Sequence, residues 1–228
     1  MNTVAMDMRT LGRGPLVIIL GALVSSAATL IYVHSTYSPA TAGRVLDGCL
    51  EELLPIACGM AVVGVLAGDP ALELQATARR ALPRLALIRF GVLIVLTLVA
   101  AGIVCGLAGL LGVAAPRGTP GALTLTVLAP ALFLAGLGLV ASVVMRGAVS
   151  SGALIVALAA GENIASGAMS TGPLHRVFLF ATTYNPQASG WIVNRVVLIV
   201  CAAVLLMLGV WAANRPGVAL TLTHGDLA

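Results

Sequence analysis

The pattern of hydrophobic and polar positions divides the chain into long apolar runs separated by short polar segments. A helix that crosses a bilayer needs roughly 20 apolar residues to span about 30 Å of hydrocarbon, and most of the runs approach that length. The polar segments are too short to form large separate domains. The pattern therefore predicts one all-α integral membrane domain over residues 1–228, with six transmembrane helices at residues 16–33, 50–67, 88–111, 123–145, 147–164 and 191–213.

The composition supports a membrane environment. Of the 228 residues, 60% are hydrophobic and only 9% are charged. A soluble domain usually carries about 25% charged residues, so this chain has too few to cover a water-facing surface. We therefore expect the lipid bilayer to be its main surroundings.

The types of polar residue exclude several kinds of chemistry. The chain contains twelve basic residues, all of them arginine. Because a P-loop needs a lysine against the β- and γ-phosphates, the chain cannot carry a standard P-loop, and an ATP-driven step would require another subunit. The cysteines lack CxxC spacing and the histidines are scattered, so we expect no metal site. The apolar runs also lack the clustered catalytic residues that a membrane-embedded enzyme needs.

Two features interrupt the apolar pattern before the last run. Residues 174–184 are apolar but too short to cross a bilayer, which predicts a re-entrant or interfacial outer segment. Glu162 and Asn163 interrupt the fifth run, and a charge at bilayer depth is costly and usually functional. We therefore interpret Glu162 and Asn163, with Arg176 and Arg195, as a candidate outer gate in which Glu162 pairs with one of the arginines. A location of Glu162 at the outer interface, without a gating role, is the alternative.

The arginines set the expected orientation, because cytoplasmic loops carry an excess of basic residues. With both termini inside, eight arginines fall on the cytoplasmic side and four outside, and the opposite topology inverts that ratio. We expect a multi-pass protein of a bacterial plasma (inner) membrane with both termini cytoplasmic. Tyr37, Tyr184 and Trp191 then lie near the outer interface, where amphipathic rings are enriched.

A polar stretch between the second and third runs has the pattern of a short surface helix. Asp69 is a good N-cap, Pro70 suits the first helical position, and Pro83 predicts the end of the helix. Residues 70–82 then present one apolar and one charged face, which suits a helix at the membrane surface. An ordinary arginine-rich cytoplasmic loop is the simpler alternative, because any surface helix would share these features.

The same stretch resembles the coupling helix of type-2 ABC exporter permeases. That family has a Leu-Glu-Leu start, a Ser or Thr one turn later, an arginine-rich patch, and then Arg-Leu-x-Leu-x-Arg running into the third span. Here the corresponding residues are Leu72-Glu73-Leu74, Thr77, Arg79-Arg80 and Arg84-Leu85-Ala86-Leu87-Ile88-Arg89. The resemblance loosely includes the six spans, the short fifth span and the broken outer segment before the sixth.

The resemblance implies a permease subunit of an ATP-driven exporter, which moves an amphipathic substrate by alternating access and is not itself an enzyme. Leu72, Glu73, Thr77, Arg79 and Arg80 would contact an ATP-binding cassette ATPase subunit. That partner would hold ATP and Mg²⁺, whereas this chain would hold no cofactor. A second copy or a homologous permease would complete the pathway, and we expect no nucleic-acid partner.

A secondary transporter or channel subunit not driven by ATP is the main alternative function. Such proteins usually place ionisable residues or broken helices near the middle of the membrane. The apolar runs carry almost no charge apart from Glu162, which argues against this alternative. A membrane protein with a purely structural role is a further alternative.

Overall fold

The regular structure consists of helices throughout the described part of the chain. A computed structural model describes residues 13–67, 82–113, 119–145, 147–169, 173–184 and 190–213. The longer helices are α1 (Arg13–Thr36), α2 (Pro39–Gly48), α3 (Leu54–Ala67), α4 (Leu82–Leu110), α5 (Pro120–Met145), α6 (Ala148–Ile164) and α9 (Trp191–Ala213). The short elements are a π-turn (Cys49–Leu53), α7 (Ser166–Met169), a 3₁₀ turn (Pro173–Arg176) and α8 (Ala181–Tyr184).

Within the described residues, five helices are long and apolar enough to cross a membrane. They are Arg13–Thr36, Pro39–Val65, Ala86–Leu110, Pro120–Met145 and Trp191–Ala212. Helix α6 is also apolar but has only 17 residues, so the predicted fifth span corresponds to a shorter helix than the others. The prediction of an all-helical protein with several membrane-crossing helices is confirmed at this level.

The second predicted span differs most from the structure. The sequence predicted a span at residues 50–67, whereas the helix begins at Pro39 and passes through the π-turn to Ala67. The Ser38 hydroxyl accepts a hydrogen bond from the Thr41 N–H at 3.4 Å, and Pro39 suits the first turn because its nitrogen has no hydrogen to donate. The polar residues before position 50 are therefore helical rather than a loop.

Pro83 also has a different role from the predicted one. The sequence placed it at the end of a surface helix, but in the structure it lies in the first turn of α4, which begins at Leu82. Proline is well tolerated there because the first N–H groups of a helix have no partner within the helix.

Helix α5 lies at the centre of the bundle, where it packs most extensively against α3 and α9. A Cβ atom added to Gly138 on α5 would lie 2.9 Å from the carbonyl oxygen of Gly59 on α3. A Cβ atom added to Gly59 would lie 3.1 Å from the carbonyl oxygen of Leu134. Small residues at this crossing therefore bring the two helix backbones into direct contact, as is common between membrane helices.

Candidate functional site

The candidate site surrounds the segment between α7 and α9, called here the 173–184 segment. Phe178, Leu179 and Phe180 at its centre are completely buried. Apart from two single-turn elements its backbone is irregular, so many of its N–H and carbonyl groups need partners elsewhere. Irregular backbone at membrane depth is tolerated only where protein or a water-filled cavity surrounds it.

Glu51 supplies the largest share of these partners. It belongs to the π-turn and its side chain is fully buried. One carboxylate oxygen, Oε1, accepts a hydrogen bond from the Thr182 N–H at 2.8 Å. The other, Oε2, accepts from the Thr183 N–H at 2.6 Å and from the Thr183 hydroxyl at 2.9 Å. The carboxylate thereby fixes the start of α8 to the second membrane helix.

Arg195 on α9 completes a buried ion pair with Glu51. Its guanidinium Nη2 also donates to the Thr182 hydroxyl at 2.9 Å, and Nη1 donates to the Leu179 carbonyl at 3.3 Å. The guanidinium carbon lies 5.4 Å from the centroid of the Trp191 ring, within the range of a cation–π contact. Either charge alone would be costly to bury, so the pair and its hydrogen bonds depend on one another.

Trp191 faces this cluster. The sequence placed it near the outer membrane interface, but it is only 4% exposed and its indole N–H donates to the Thr182 hydroxyl at 2.8 Å. Tyr37, which was assigned to the same interface, is exposed. The indole ring therefore stabilises the interior of the protein near the start of α9.

Two further side chains, one on α6 and one on α9, hold the backbone of the 173–184 segment. The Glu162 carboxylate on α6 accepts a hydrogen bond from the Leu179 N–H at 2.8 Å. The Asn194 side-chain amide on α9 donates to the carbonyl oxygens of His175 at 2.9 Å and Phe178 at 2.8 Å. The segment is thus bound by polar groups from the second helix, α6 and α9.

Asn163 extends this network to the end of α8. Its side-chain amide donates to Glu52 at 3.4 Å and to the Ala159 carbonyl at 3.1 Å, and its carbonyl accepts from the Tyr184 hydroxyl. Partial burial, reinforced by the negative charge of Glu52, raises the pKa of Tyr184. The tyrosine therefore favours its neutral form, which is the form that donates this hydrogen bond.

The structure brings together three of the four residues predicted as an outer gate. Glu162, Asn163 and Arg195 all contact the 173–184 segment, whereas Arg176 lies within it and is exposed. The expected partner of Glu162 was an arginine, but its observed contact is the Leu179 N–H, and Arg195 pairs with Glu51.

The sequence interpretation missed Glu51 as the centre of the cluster. It placed Glu51 at the outer edge of the second span, because the helix was predicted to begin at residue 50. The extension of the helix to Pro39 moves Glu51 well inside it. The available signal was Ser38-Pro39, an N-cap residue followed by a proline at the first helical position.

The predicted coupling residues stand apart from this cluster. Leu72, Glu73, Thr77, Arg79 and Arg80 lie outside the described residues, so the coupling-helix assignment of residues 70–82 stays a prediction. Within the described ranges, no group of three or more histidine, cysteine, aspartate or glutamate side chains could hold a metal ion. No protein-family model, curated protein or solved structure matches the chain.

Proposed function

We propose that the chain is the membrane-spanning permease subunit of an ATP-driven exporter. The observation that supports this proposal most is the order of α6, the 173–184 segment and α9 along the chain. The short helix α6 is followed by the 173–184 segment, which is folded into the protein, and then by the membrane-crossing helix α9. This order agrees with the type-2 ABC exporter permeases that the sequence resembles at residues 69–89.

The proposal gives each end of α3 a role. One end follows the π-turn that carries Glu51, and the other leads into the arginine-rich stretch at residues 69–84. In the proposed complex, that stretch contacts an ABC ATPase, which binds ATP and Mg²⁺. Two permease chains then alternate between inward-open and outward-open states and export an amphipathic substrate from the cytoplasmic side of the inner membrane.

The test is co-purification with an ABC ATPase, starting with one encoded beside this chain. We expect vanadate-sensitive ATP hydrolysis by the reconstituted complex, and loss of complex formation in Glu73→Ala and Arg80→Ala. Arg13→Ala is a matched control, because Arg13 is an exposed arginine on the same predicted side. Equal ATPase binding by the Arg80→Ala and Arg13→Ala proteins would contradict the coupling assignment.

A secondary transporter is a second candidate, and one finding favours it. The sequence suggested that the spans carry almost no charge, but Asp47, Glu51, Arg89 and Arg195 are all buried within helices, in addition to Glu162. Ionisable groups inside membrane helices often belong to ion or proton pathways.

Flux measurements in proteoliposomes that contain this chain, either alone or together with the ATPase, separate the two candidates. Substrate uptake that needs no nucleotide and collapses with a protonophore would favour the secondary transporter. Uptake that requires the ATPase and ATP would favour the exporter.

A further inference from the structure

We propose that Glu51 mechanically links the second membrane helix to the 173–184 segment and to α9, so that movement of α3 is transmitted to this segment. The attachment depends only on the contacts of Glu51. The source of the movement, an ATPase acting at the far end of α3, rests on the proposed function.

The contacts of Glu51 are those of an attachment point rather than of a simple ion pair. Its two oxygens accept from the Thr182 N–H, the Thr183 N–H, the Thr183 hydroxyl and Arg195. An ionised carboxylate offers about four acceptor positions, so these four donors use its capacity. Hydrogen bonds to ionised groups are roughly twice as strong as those between neutral groups.

The π-turn determines where this carboxylate lies. A π-turn within an α-helix is rare and is frequently found at functional sites. Here it contains two successive glutamates: Glu51 binds α8 and α9, and Glu52 binds Asn163 on α6 and also interacts with the Thr183 side chain. The turn therefore connects one helix to three others at the same level.

Helix α3 is suited to carry movement to this point. Its 14 residues extend for about 21 Å between the π-turn and Ala67. A displacement of the π-turn and α3 relative to the rest of the bundle must either carry the 173–184 segment and α9 with it or separate Glu51 from its donors. Because the Glu51 and Arg195 side chains are both buried and charged, separation is the costlier outcome.

Hydrogen–deuterium exchange of the full chain in lipid nanodiscs tests the attachment. Glu51→Gln keeps the size of the side chain but replaces one acceptor oxygen with an NH₂ group. We expect the Thr182 and Thr183 amides to exchange at least about tenfold faster in this variant, since they lose bonds to an ionised acceptor. Glu52→Gln is the matched control: it makes the same chemical change at the next residue. Glu52 interacts with the Thr183 side chain, but both amides donate to Glu51, so they should stay protected in this variant.

A milder variant keeps the test decisive if Glu51→Gln does not fold. Thr183→Val removes one of the four donors to Glu51 and leaves the ion pair in place. We expect a smaller acceleration, confined to the start of α8. If Glu51→Gln folds, wild-type protection of its Thr182 and Thr183 amides would overturn the attachment. If only Thr183→Val folds, wild-type protection of the same amides in that variant would overturn it.

The transmission of movement is tested by repeating the exchange measurement on the complex with its ATPase. In the wild type we expect exchange of the 173–184 segment to differ between the nucleotide-free and ATP–vanadate states. In Glu51→Gln that difference should disappear while the ATPase remains bound, and its persistence would refute the transmission. If no ATPase binds the wild-type chain, the transmission falls with the proposed function, whereas the nanodisc comparison still decides the attachment.

Discussion

Replacement of Arg195 by methionine separates the two roles of Glu51, as ion-pair partner and as acceptor for the 173–184 segment. Methionine replaces the aliphatic part of the arginine side chain but has no guanidinium, so the Glu51 carboxylate is left buried without its cationic partner. Removal of one member of a buried ion pair typically destabilises a protein by about 3–5 kcal/mol. The lost bonds to Thr182 and Leu179 add to this effect, and we expect a decrease near the upper end of that range.

The charge-reversed double variant Glu51→Arg/Arg195→Glu makes the prediction specific. If the ion pair were the whole role of Glu51, the exchange of charges would restore stability. Instead, the Thr182 N–H, the Thr183 N–H and the Thr183 hydroxyl would face a guanidinium that cannot accept a hydrogen bond. Each such bond to a charged group contributes about 1.5–3 kcal/mol, so we expect the double variant to stay destabilised by at least about 3 kcal/mol.

The chain contains its own reporters for this measurement. Cys49 and Cys58 are buried, whereas Cys105 and Cys201 are partly exposed. In a background with Cys105→Ala and Cys201→Ala, a thiol-reactive dye should therefore label the chain only when the protein unfolds. Denaturant titration in detergent with this dye gives the free energy of unfolding for each variant. Arg176→Met is the matched control: Arg176 is exposed, and the change should alter stability by no more than about 0.5 kcal/mol. A double variant within about 0.5 kcal/mol of the wild type would refute the reasoning, because the backbone donors would then contribute nothing.

Two further substitutions test the packing and the hydrogen bonds. Gly138→Ala should destabilise the protein by about 1–3 kcal/mol in the same assay, since its Cβ would lie 2.9 Å from the Gly59 carbonyl oxygen. Gly102→Ala is the control: its Cβ would meet nothing within 4 Å, so it should be neutral or stabilising by up to about 1 kcal/mol. Equal losses of stability in the Gly138→Ala and Gly102→Ala variants would contradict the close helix contact. Trp191→Phe should lower the free energy of unfolding by about 1 kcal/mol, because it removes the hydrogen bond to Thr182 but keeps an aromatic ring. An unchanged denaturant midpoint would show that this hydrogen bond does not contribute to stability.

The sequence predicted the features that depend on long apolar runs. The last described helix begins at Trp191 and ends at Ala213, as expected from the predicted span at residues 191–213. Residues 174–184 were expected to be too short to span the membrane, and they form single turns separated by irregular backbone. Membrane-crossing helices are predictable because nearly every residue within the hydrocarbon layer must be apolar, which leaves a long apolar run in the sequence.

The ion pair could not be predicted in the same way. Glu51 and Arg195 are separated by 144 residues, and neither has a local pattern that selects the other. Their contact depends on a helix start at Pro39, on the π-turn and on the folding of the 173–184 segment between them. Glu162 was detectable because an acidic residue inside an apolar run is unusual, but its partner is a backbone N–H, which has no sequence signature.

The π-turn also constrains how the second membrane helix can change in length. A π-turn holds one residue more than the α-helical turn that it replaces. Deletion of a single residue between Cys49 and Leu53 would therefore leave an unbroken α-helix whose two halves keep about the same relative orientation, because the wide turn already accommodates the extra residue. Asp47 and Leu46, now buried, would keep their present surroundings. A homologue that lacks this residue could therefore use the same hydrophobic face on α2, but it would lose the wide turn that carries Glu51.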